Sequence, residues 1–178
     1  SKSIRTQKRA ELQLGEDDVM IISMGDLVKR KNYSISIRAL SEVKNSNVKY
    51  YICGEGNEMA YLQTLTHELG LDKRIFFLGY RSDIKELLMA ADIFLFTTLQ
   101  EGLPRSLSEA MASGLPCIVS NVRGNSDLIT DIKGGFLCDR HDFIAFATKI
   151  ECLAIRKDLR REQGLYNKAN LKRFSVKE

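Results

Sequence analysis

The chain of 178 residues has the length of one ordinary domain, and with 44% hydrophobic and 28% charged residues it has the composition of a soluble globular protein. No apolar run reaches the roughly 18 residues that a membrane-spanning helix needs, and the polar N-terminal segment lacks the apolar core of a signal peptide. A net charge of +4 is mild. It suits a small anionic ligand but argues against a nucleic-acid surface, which would need a concentrated basic face.

Short apolar runs alternate with amphipathic stretches along the chain. The apolar runs predict six strands, at residues 19–25, 48–54, 74–79, 92–98, 115–120 and 134–138. Apolar spacing and capping residues predict helices at 32–45, 57–70, 83–91, 104–114, 125–131, 141–155 and 158–173. Because the strands are apolar on both faces and separated by helices, we expect an α/β fold, a doubly wound, Rossmann-like parallel sheet of about six strands with helices on both faces.

Ligands bind such sheets at the carboxyl ends of the strands, so the loops that follow the strands are where a site is expected. The loop after the first strand reads GDLVKRKN (25–32), in which Gly25 permits tight backbone geometry and three consecutive basic residues suit a phosphate. A solvated basic loop fits that stretch equally well. The GEG at 54–56 resembles the start of GxGxxG but has Met59 at the last position. Its glycines are expected to let a ligand approach the backbone.

Two glutamates eight positions apart, Glu101 and Glu109, flank the predicted start of the helix after the fourth strand. Pro104 fits the first turn of that helix, and the N–H groups of the next three residues are then free to face a phosphate. Carboxylates beside a phosphate would be repelled unless they faced hydroxyl groups, so the pattern suggests ribose, diphosphate and hexose in a row. The alternative is that both glutamates are ordinary helix-start charges. Neither is expected in the apolar core.

The cysteines and histidines give little sign of chemistry. No two of the four cysteines are close in sequence and no CxxC pair occurs, which favours free thiols in a reducing cytoplasm. The two histidines, His67 and His141, are far apart, so a metal site is not expected.

Four stretches carry a resemblance to a known family: MGDLVKRKN, ICGEGNE, IFFLGYRSDIKELLMAADIFLFTTLQEGLP, and the Glu-x7-Glu block followed by AMASGLPCIVSNVRGNSDLI. In this order they resemble the donor-binding domain of GT-B glycosyltransferases, specifically glycosyltransferase family 4, also called glycosyl transferases group 1. The resemblance covers residues 15–174, nearly the whole chain.

The resemblance implies a retaining transferase that needs no metal or cofactor and takes a nucleotide-diphospho-sugar, with a UDP-sugar favoured over a GDP-sugar. It implies that Glu101 and Lys31 serve the reaction, with Glu101 on the donor hexose, and that Glu109 holds the ribose. Asp26 departs from the family, which has arginine there. The other donor-binding positions that the resemblance implies are Gly25, Gly54, Tyr80, Arg81, Gly102, Leu103, Pro104, Ser106 and Leu107.

The family fold has two Rossmann-like domains, and this chain resembles only the C-terminal one. We therefore expect residues 1–17 to be a linker from an N-terminal acceptor domain, 18–174 to be the donor domain with its closing helix cut short, and the piece to be inactive alone. The other domain would bind a glycan or lipid-linked acceptor and could lie against the inner face of the membrane, in cytoplasmic synthesis of bacterial polysaccharide or glycolipid. A non-catalytic nucleotide-binding or scaffolding domain and half of a sugar-nucleotide epimerase remain the alternatives.

Overall fold

The structure, a computed structural model, describes residues 2–175, and of residues 173–175 the backbone alone. Within that range six strands form one sheet whose ladders are all parallel. The strands are β1 (Val19–Met24), β2 (Val48–Cys53), β3 (Ile75–Gly79), β4 (Ile93–Phe96), β5 (Cys117–Ser120) and β6 (Gly135–Cys138). Their order is β3-β2-β1-β4-β5-β6. The first three strands are added toward one edge of the sheet and the last three toward the other, so the strand order reverses between the neighbours β1 and β4. The predicted doubly wound parallel sheet is confirmed.

One helix precedes β1, and one or more helices follow every strand. They are α1 (Lys2–Glu11), α2 (Tyr33–Glu42), α3 (Met59–Glu68), α4 (Ile84–Ala90), α5 (Arg105–Ala112), α6 (Asn125–Leu128), α7 (Phe143–Ile155) and α8 (Lys157–Ser175). All seven helices predicted after residue 18 are present, with small differences at their ends. Residues 176–178, at the end of the segment predicted to be a cut-short closing helix, lie outside the described residues.

The core lies on both faces of the sheet. All six residues of β1 are buried, and they alternate between the two faces. Ile21 packs in the cluster that contains the apolar residues of α2, α3 and α7, whereas Met20 and Ile22 pack with those of α4 and α5. Burial on both faces explains why the strands read as continuous apolar runs rather than alternating ones.

The segment predicted as a linker begins with helix α1, which packs against α4 through charged groups. Lys8 Nζ lies 2.6 Å from Asp83 Oδ2, and Arg81 Nη2 lies 2.9 Å from Glu11 Oε1 and 2.6 Å from Asp83 Oδ2. No side chain of α1 is fully buried, so the apolar periodicity that predicted the other helices is weak in this one. Whether residues 1–17 lead to another domain stays a prediction.

Asp83→Asn is expected to lower the free energy of unfolding by about 1 kcal/mol at pH 7, because its two ion pairs are only partly exposed. The Arg81 guanidinium, helped by Lys8, holds the pKa of Asp83 well below its usual value. A carboxylate with a lowered pKa stabilises the fold above the usual Asp pKa, and the contribution is lost as the pH falls toward the lowered one. Urea unfolding from pH 7 down to pH 2 should therefore show the difference from wild type shrinking below about pH 4.

Asp17→Asn, at an exposed position, is the control. A difference that did not change with pH would contradict the assignment.

Candidate functional site

A cleft of about 390 Å³ opens at the carboxyl edge of the sheet, between the loop after β1 and the start of α5. β1 and β4 are the neighbours between which the strand order reverses, the place where open α/β sheets bind ligands. This main cleft is lined by Met24, Gly25, Asp26, Arg30, Lys31, Ile84, Glu101, Leu103, Pro104, Arg105, Ser106 and Glu109. It brings together seven of the residues predicted for the site.

Glu101 ties the two walls of the main cleft together. Its Oε1 lies 2.7 Å from Lys31 Nζ and 3.2 Å from Arg30 Nη1, and it accepts a hydrogen bond of 2.9 Å from Thr98 Oγ1. The side chains of Glu101 and Lys31 are only 7% and 13% exposed, so Glu101 is more buried than the sequence predicted. Lys31 Nζ also lies 5.0 Å from the centroid of the Phe96 ring. The loops after β1 and β4 are thus held by an ion pair from which most water is excluded.

The other wall of the main cleft is the start of α5. Pro104 was predicted in the first turn and is instead the N-cap residue, one position before the helix begins. Its carbonyl accepts the Ser108 N–H at 3.1 Å. Among the described residues, the N–H groups of the first three residues of α5 have no hydrogen-bond acceptor. The Leu107 side chain is buried and anchors the helix in the core. These free N–H groups at a helix start form a position suited to an anion.

Glu109 lies one turn into α5 and is 42% exposed. Its Oε1 is 3.3 Å from Nε of Arg105, which is itself 91% exposed. Ion pairs between such exposed groups contribute little to stability, so Glu109 can exchange this partner for the hydroxyl groups of a ligand at small cost. Of the two glutamates, Glu109 is therefore the more loosely held, and Glu101 is the one fixed in place by partners within the protein.

The sequence model of the family Glycosyl transferases group 1 matches residues 4–170. The chain belongs to this family. It is 33% identical over 170 residues to the lipopolysaccharide core biosynthesis glycosyltransferase LpsD of Rhizobium meliloti (strain 1021), an alignment that covers 95% of this chain and 49% of LpsD. It is also 33% identical over 144 residues to the UDP-Gal:alpha-D-GlcNAc-diphosphoundecaprenol alpha-1,3-galactosyltransferase of Escherichia coli, covering 78% of this chain and 37% of that enzyme. The chain thus spans less than half the length of these relatives.

Solved structures of GT-B glycosyltransferases have the same fold. Anabaena HepE, solved with UDP and glucose, superposes with a TM-score of 0.91 at 24% identity over 97% of this chain and 48% of HepE. S. aureus TarM, a mutant solved with Fondaparinux, alpha-GlcNAc-glycerol and UDP, gives a TM-score of 0.86 at 26% identity over 88% of this chain and 32% of TarM. The predicted family and fold class are therefore both confirmed.

A side hollow of about 290 Å³ continues the main cleft of this group 1 domain toward β2 and β3. The two share Met24, Gly25, Asp26 and Ile84 as lining residues. The side hollow adds the three positions predicted near the nucleotide base, Gly54, Tyr80 and Arg81. Tyr80 is exposed at its mouth, whereas the Arg81 guanidinium is engaged by Asp83 and Glu11. Contacts of these residues with a base stay predictions.

The glycines after β2 have a structural role that the sequence did not reveal. A Cβ on Gly54, whose φ is +144°, would lie 2.0 Å from the Gly25 carbonyl oxygen, and one on Gly56 would lie 2.4 Å from the Leu27 carbonyl oxygen. The Leu27 N–H donates to the Glu55 carbonyl at 2.9 Å, so the loops after β1 and β2 touch through their backbones. The glycines thus allow the backbones of these two loops to approach each other closely. A ligand-binding role for Gly54 remains a prediction.

The cleft residues carry balanced charge, which the sequence alone did not show. Its cations are Arg30, Lys31 and Arg105, and its anions are Asp26, Glu101 and Glu109. Two of the three cations are committed to Glu101. An anion in the main cleft would therefore depend on the N–H groups of α5 as much as on side-chain charge.

In the part of the chain that the structure describes, no three His, Cys, Asp or Glu side chains are grouped so that they could hold a metal ion. All four cysteines are free, and burial raises the pKa of the Cys53 and Cys138 thiols to about 12. None of the helices described is both long and apolar enough to cross a bilayer.

Proposed function

We propose that this chain binds the nucleotide-diphospho-sugar donor of a retaining glycosyltransferase that works in bacterial polysaccharide or glycolipid synthesis. The observation that carries the proposal is the main cleft, which places the free N–H groups of α5 between Glu101 and Glu109 at the switch point of the sheet. The E. coli relative is named for the donor UDP-Gal, and HepE was solved with UDP and glucose. Both support a UDP-sugar ahead of a GDP-sugar.

The donor would lie along the cleft from α5 outward. The N–H groups of Ser106 and Leu107 would bind the diphosphate, because helix-start amides favour anions. Glu109 would accept hydrogen bonds from the ribose hydroxyls, and Glu101 from those of the hexose. The backbone of residues 102–104 would line the hexose, and the base would extend into the side hollow toward Tyr80.

In the reaction that we propose, an acceptor hydroxyl oxygen bonds to the anomeric carbon of the hexose on the face from which the diphosphate leaves. The bond between that carbon and the phosphate oxygen breaks, and the diphosphate takes the electron pair and then the acceptor proton. The α5 amides and Lys31 stabilise the developing charge without a metal. The acceptor, a glycan or a lipid-linked saccharide, would be bound by another part of the whole protein.

Asp26 favours a second candidate function, a scaffolding domain that does not bind a donor. It lines both hollows, where its negative charge opposes a diphosphate. Calorimetric titration of the chain with UDP and with GDP separates the two functions. Saturable binding of UDP, tighter than that of GDP, is expected for the donor-binding domain, whereas a scaffold would bind neither nucleotide.

Lys31→Ala is expected to weaken UDP binding about fivefold, roughly 1 kcal/mol, and Asp26→Arg is expected to strengthen it. The loss is modest because Lys31 is already paired with Glu101 and gives the diphosphate only part of its charge. Calorimetry with UDP measures both, with Lys73→Ala as a control on the exposed turn before β3. If both variants bound UDP like wild type, the loop after β1 would not contact the diphosphate.

A further inference from the structure

A separate cavity of about 530 Å³ shares Glu101 with the main cleft but has no residue of α5 in its lining. It is formed by the loops that follow β4, β5 and β6, and we call it the arginine cavity. Its polar lining residues are Gln100, Glu101, Asn121, Arg123, Asp139 and Arg140. Glu101 also lines the main cleft, so a sugar held there would have the diphosphate toward α5 and its far side toward the arginine cavity.

The two arginines of this cavity differ from the cations of the main cleft. Arg123 forms no ion pair or hydrogen bond with any residue that the structure describes. Arg140 is braced, because its Nη1 donates to the Leu99 carbonyl at 3.1 Å and its own carbonyl accepts from Asn32 Nδ2 at 3.2 Å. In contrast, each main-cleft cation already has a carboxylate partner within 3.3 Å.

The two acidic groups of the cavity form no ion pair with these arginines. The Glu101 carboxylate is paired with Lys31 and Arg30 from the other side. Asp139 accepts the backbone N–H of His141 at 2.8 Å through Oδ1 and forms no ion pair with either arginine. The two guanidinium groups can therefore contact a ligand without first breaking an ion pair, and guanidinium groups match the oxygens of carboxylates and phosphates.

We propose that the arginine cavity binds an anionic group, a carboxylate or a phosphate, that is carried on the far side of the transferred sugar or on the acceptor next to it. The position of the sugar rests on the proposed function, whereas the preference for an anion rests on Arg123 and Arg140 alone. The cavity would thus favour substrates that carry a negative charge on the sugar or the acceptor, a charge that does not contact the diphosphate site.

Two calorimetric comparisons test the proposal and identify which substrate carries the charge. The donor arm compares UDP-glucuronate with UDP-glucose, which differ in a carboxylate on the sugar. The acceptor arm compares glucose 1-phosphate with glucose, each titrated into the chain saturated with UDP. In one of the two arms the charged compound is expected to bind about tenfold tighter than its neutral counterpart.

Arg123→Ala and Arg140→Ala are expected to remove that preference, and Arg123→Lys to keep part of it, while affinity for UDP itself stays at the wild-type value. Arg161→Ala, which removes the same charge from an exposed position on α8, should leave the preference intact. The proposal is overturned if neither arm shows a preference for the charged compound, or if Arg123→Ala changes it no more than Arg161→Ala. A chain that bound glucose 1-phosphate through Arg123 but failed to bind UDP would support the anion site and contradict the donor assignment.

Discussion

Replacing Gly54 with alanine is expected to lower the free energy of unfolding by about 3 kcal/mol or more, and the melting temperature by roughly 6–12 °C. The added methyl carbon would lie 2.0 Å from the Gly25 carbonyl oxygen and 2.9 Å from its carbonyl carbon. Both are backbone atoms, which cannot turn aside as the end of a side chain could. The φ of +144° adds strain, because residues with a Cβ rarely adopt it.

Thermal and urea unfolding of Gly54→Ala and Gly102→Ala side by side isolate this contact. Gly102 lies between two residues that line the main cleft, but a Cβ there would meet nothing within 4 Å, so its replacement should change stability by less than about 0.5 kcal/mol. Equal stability of the two variants would show that the loops after β1 and β2 are not held as closely as described.

Glu109→Ala is expected to weaken binding of both UDP and UDP-glucose by about 30-fold, roughly 2 kcal/mol. The ribose is present in both compounds, and Glu109 would lose two charge-assisted hydrogen bonds with it. In the free chain the Glu109 carboxylate pairs with Arg105 and with no other residue that the structure describes, and both side chains are substantially exposed, so the fold should be unaffected. Circular dichroism checks that before any titration is interpreted.

Glu101→Ala should behave differently in two respects. Affinity for UDP should not fall below wild type, because the substitution releases Lys31 toward the diphosphate, while any advantage of UDP-glucose over UDP is lost, because Glu101 is assigned to the hexose. Stability should also fall by about 1–2 kcal/mol, since the substitution leaves Lys31 largely buried without its closest partner. A variant with wild-type stability would contradict the role of the Glu101–Lys31 pair in holding the two loops.

The elements of the sheet could be predicted because burial imposes a pattern on neighbouring residues. Five of the six residues of β1 are apolar because both of its faces are covered, and that pattern is visible in the sequence itself. Helix α1 was missed as an element because charged partners hold it, Asp83 and Arg81 among them, and a contact across some 70 residues leaves no local pattern.

The residues of the site could be predicted from their types, but the contacts that they make with one another could not. Glu101 and Lys31 stood out separately, one beside a helix start and one in a basic loop, and only the pairing of β1 with β4 brings them to 2.7 Å. The sequence could not show that the Gly25 backbone lies where a Cβ of Gly54 would be, and the contact of Gly54 with a ligand stays a prediction. Nothing in the sequence was a reason to place Arg123 in a site, because the cavity that it lines is formed by three loops that are distant in sequence.

The assignment of the ribose to Glu109 and the hexose to Glu101 is tested most directly by one calorimetric series. UDP is titrated into the wild-type chain, Glu109→Ala, Glu101→Ala and, as a control for the loss of a helix carboxylate, Glu162→Ala on α8. The proposed donor site predicts that Glu109→Ala alone loses about 30-fold in affinity and that neither Glu101→Ala nor Glu162→Ala binds UDP more weakly than wild type. Wild-type affinity in Glu109→Ala would contradict the ribose assignment, and equal losses in Glu109→Ala and Glu101→Ala would contradict the division of the donor between them.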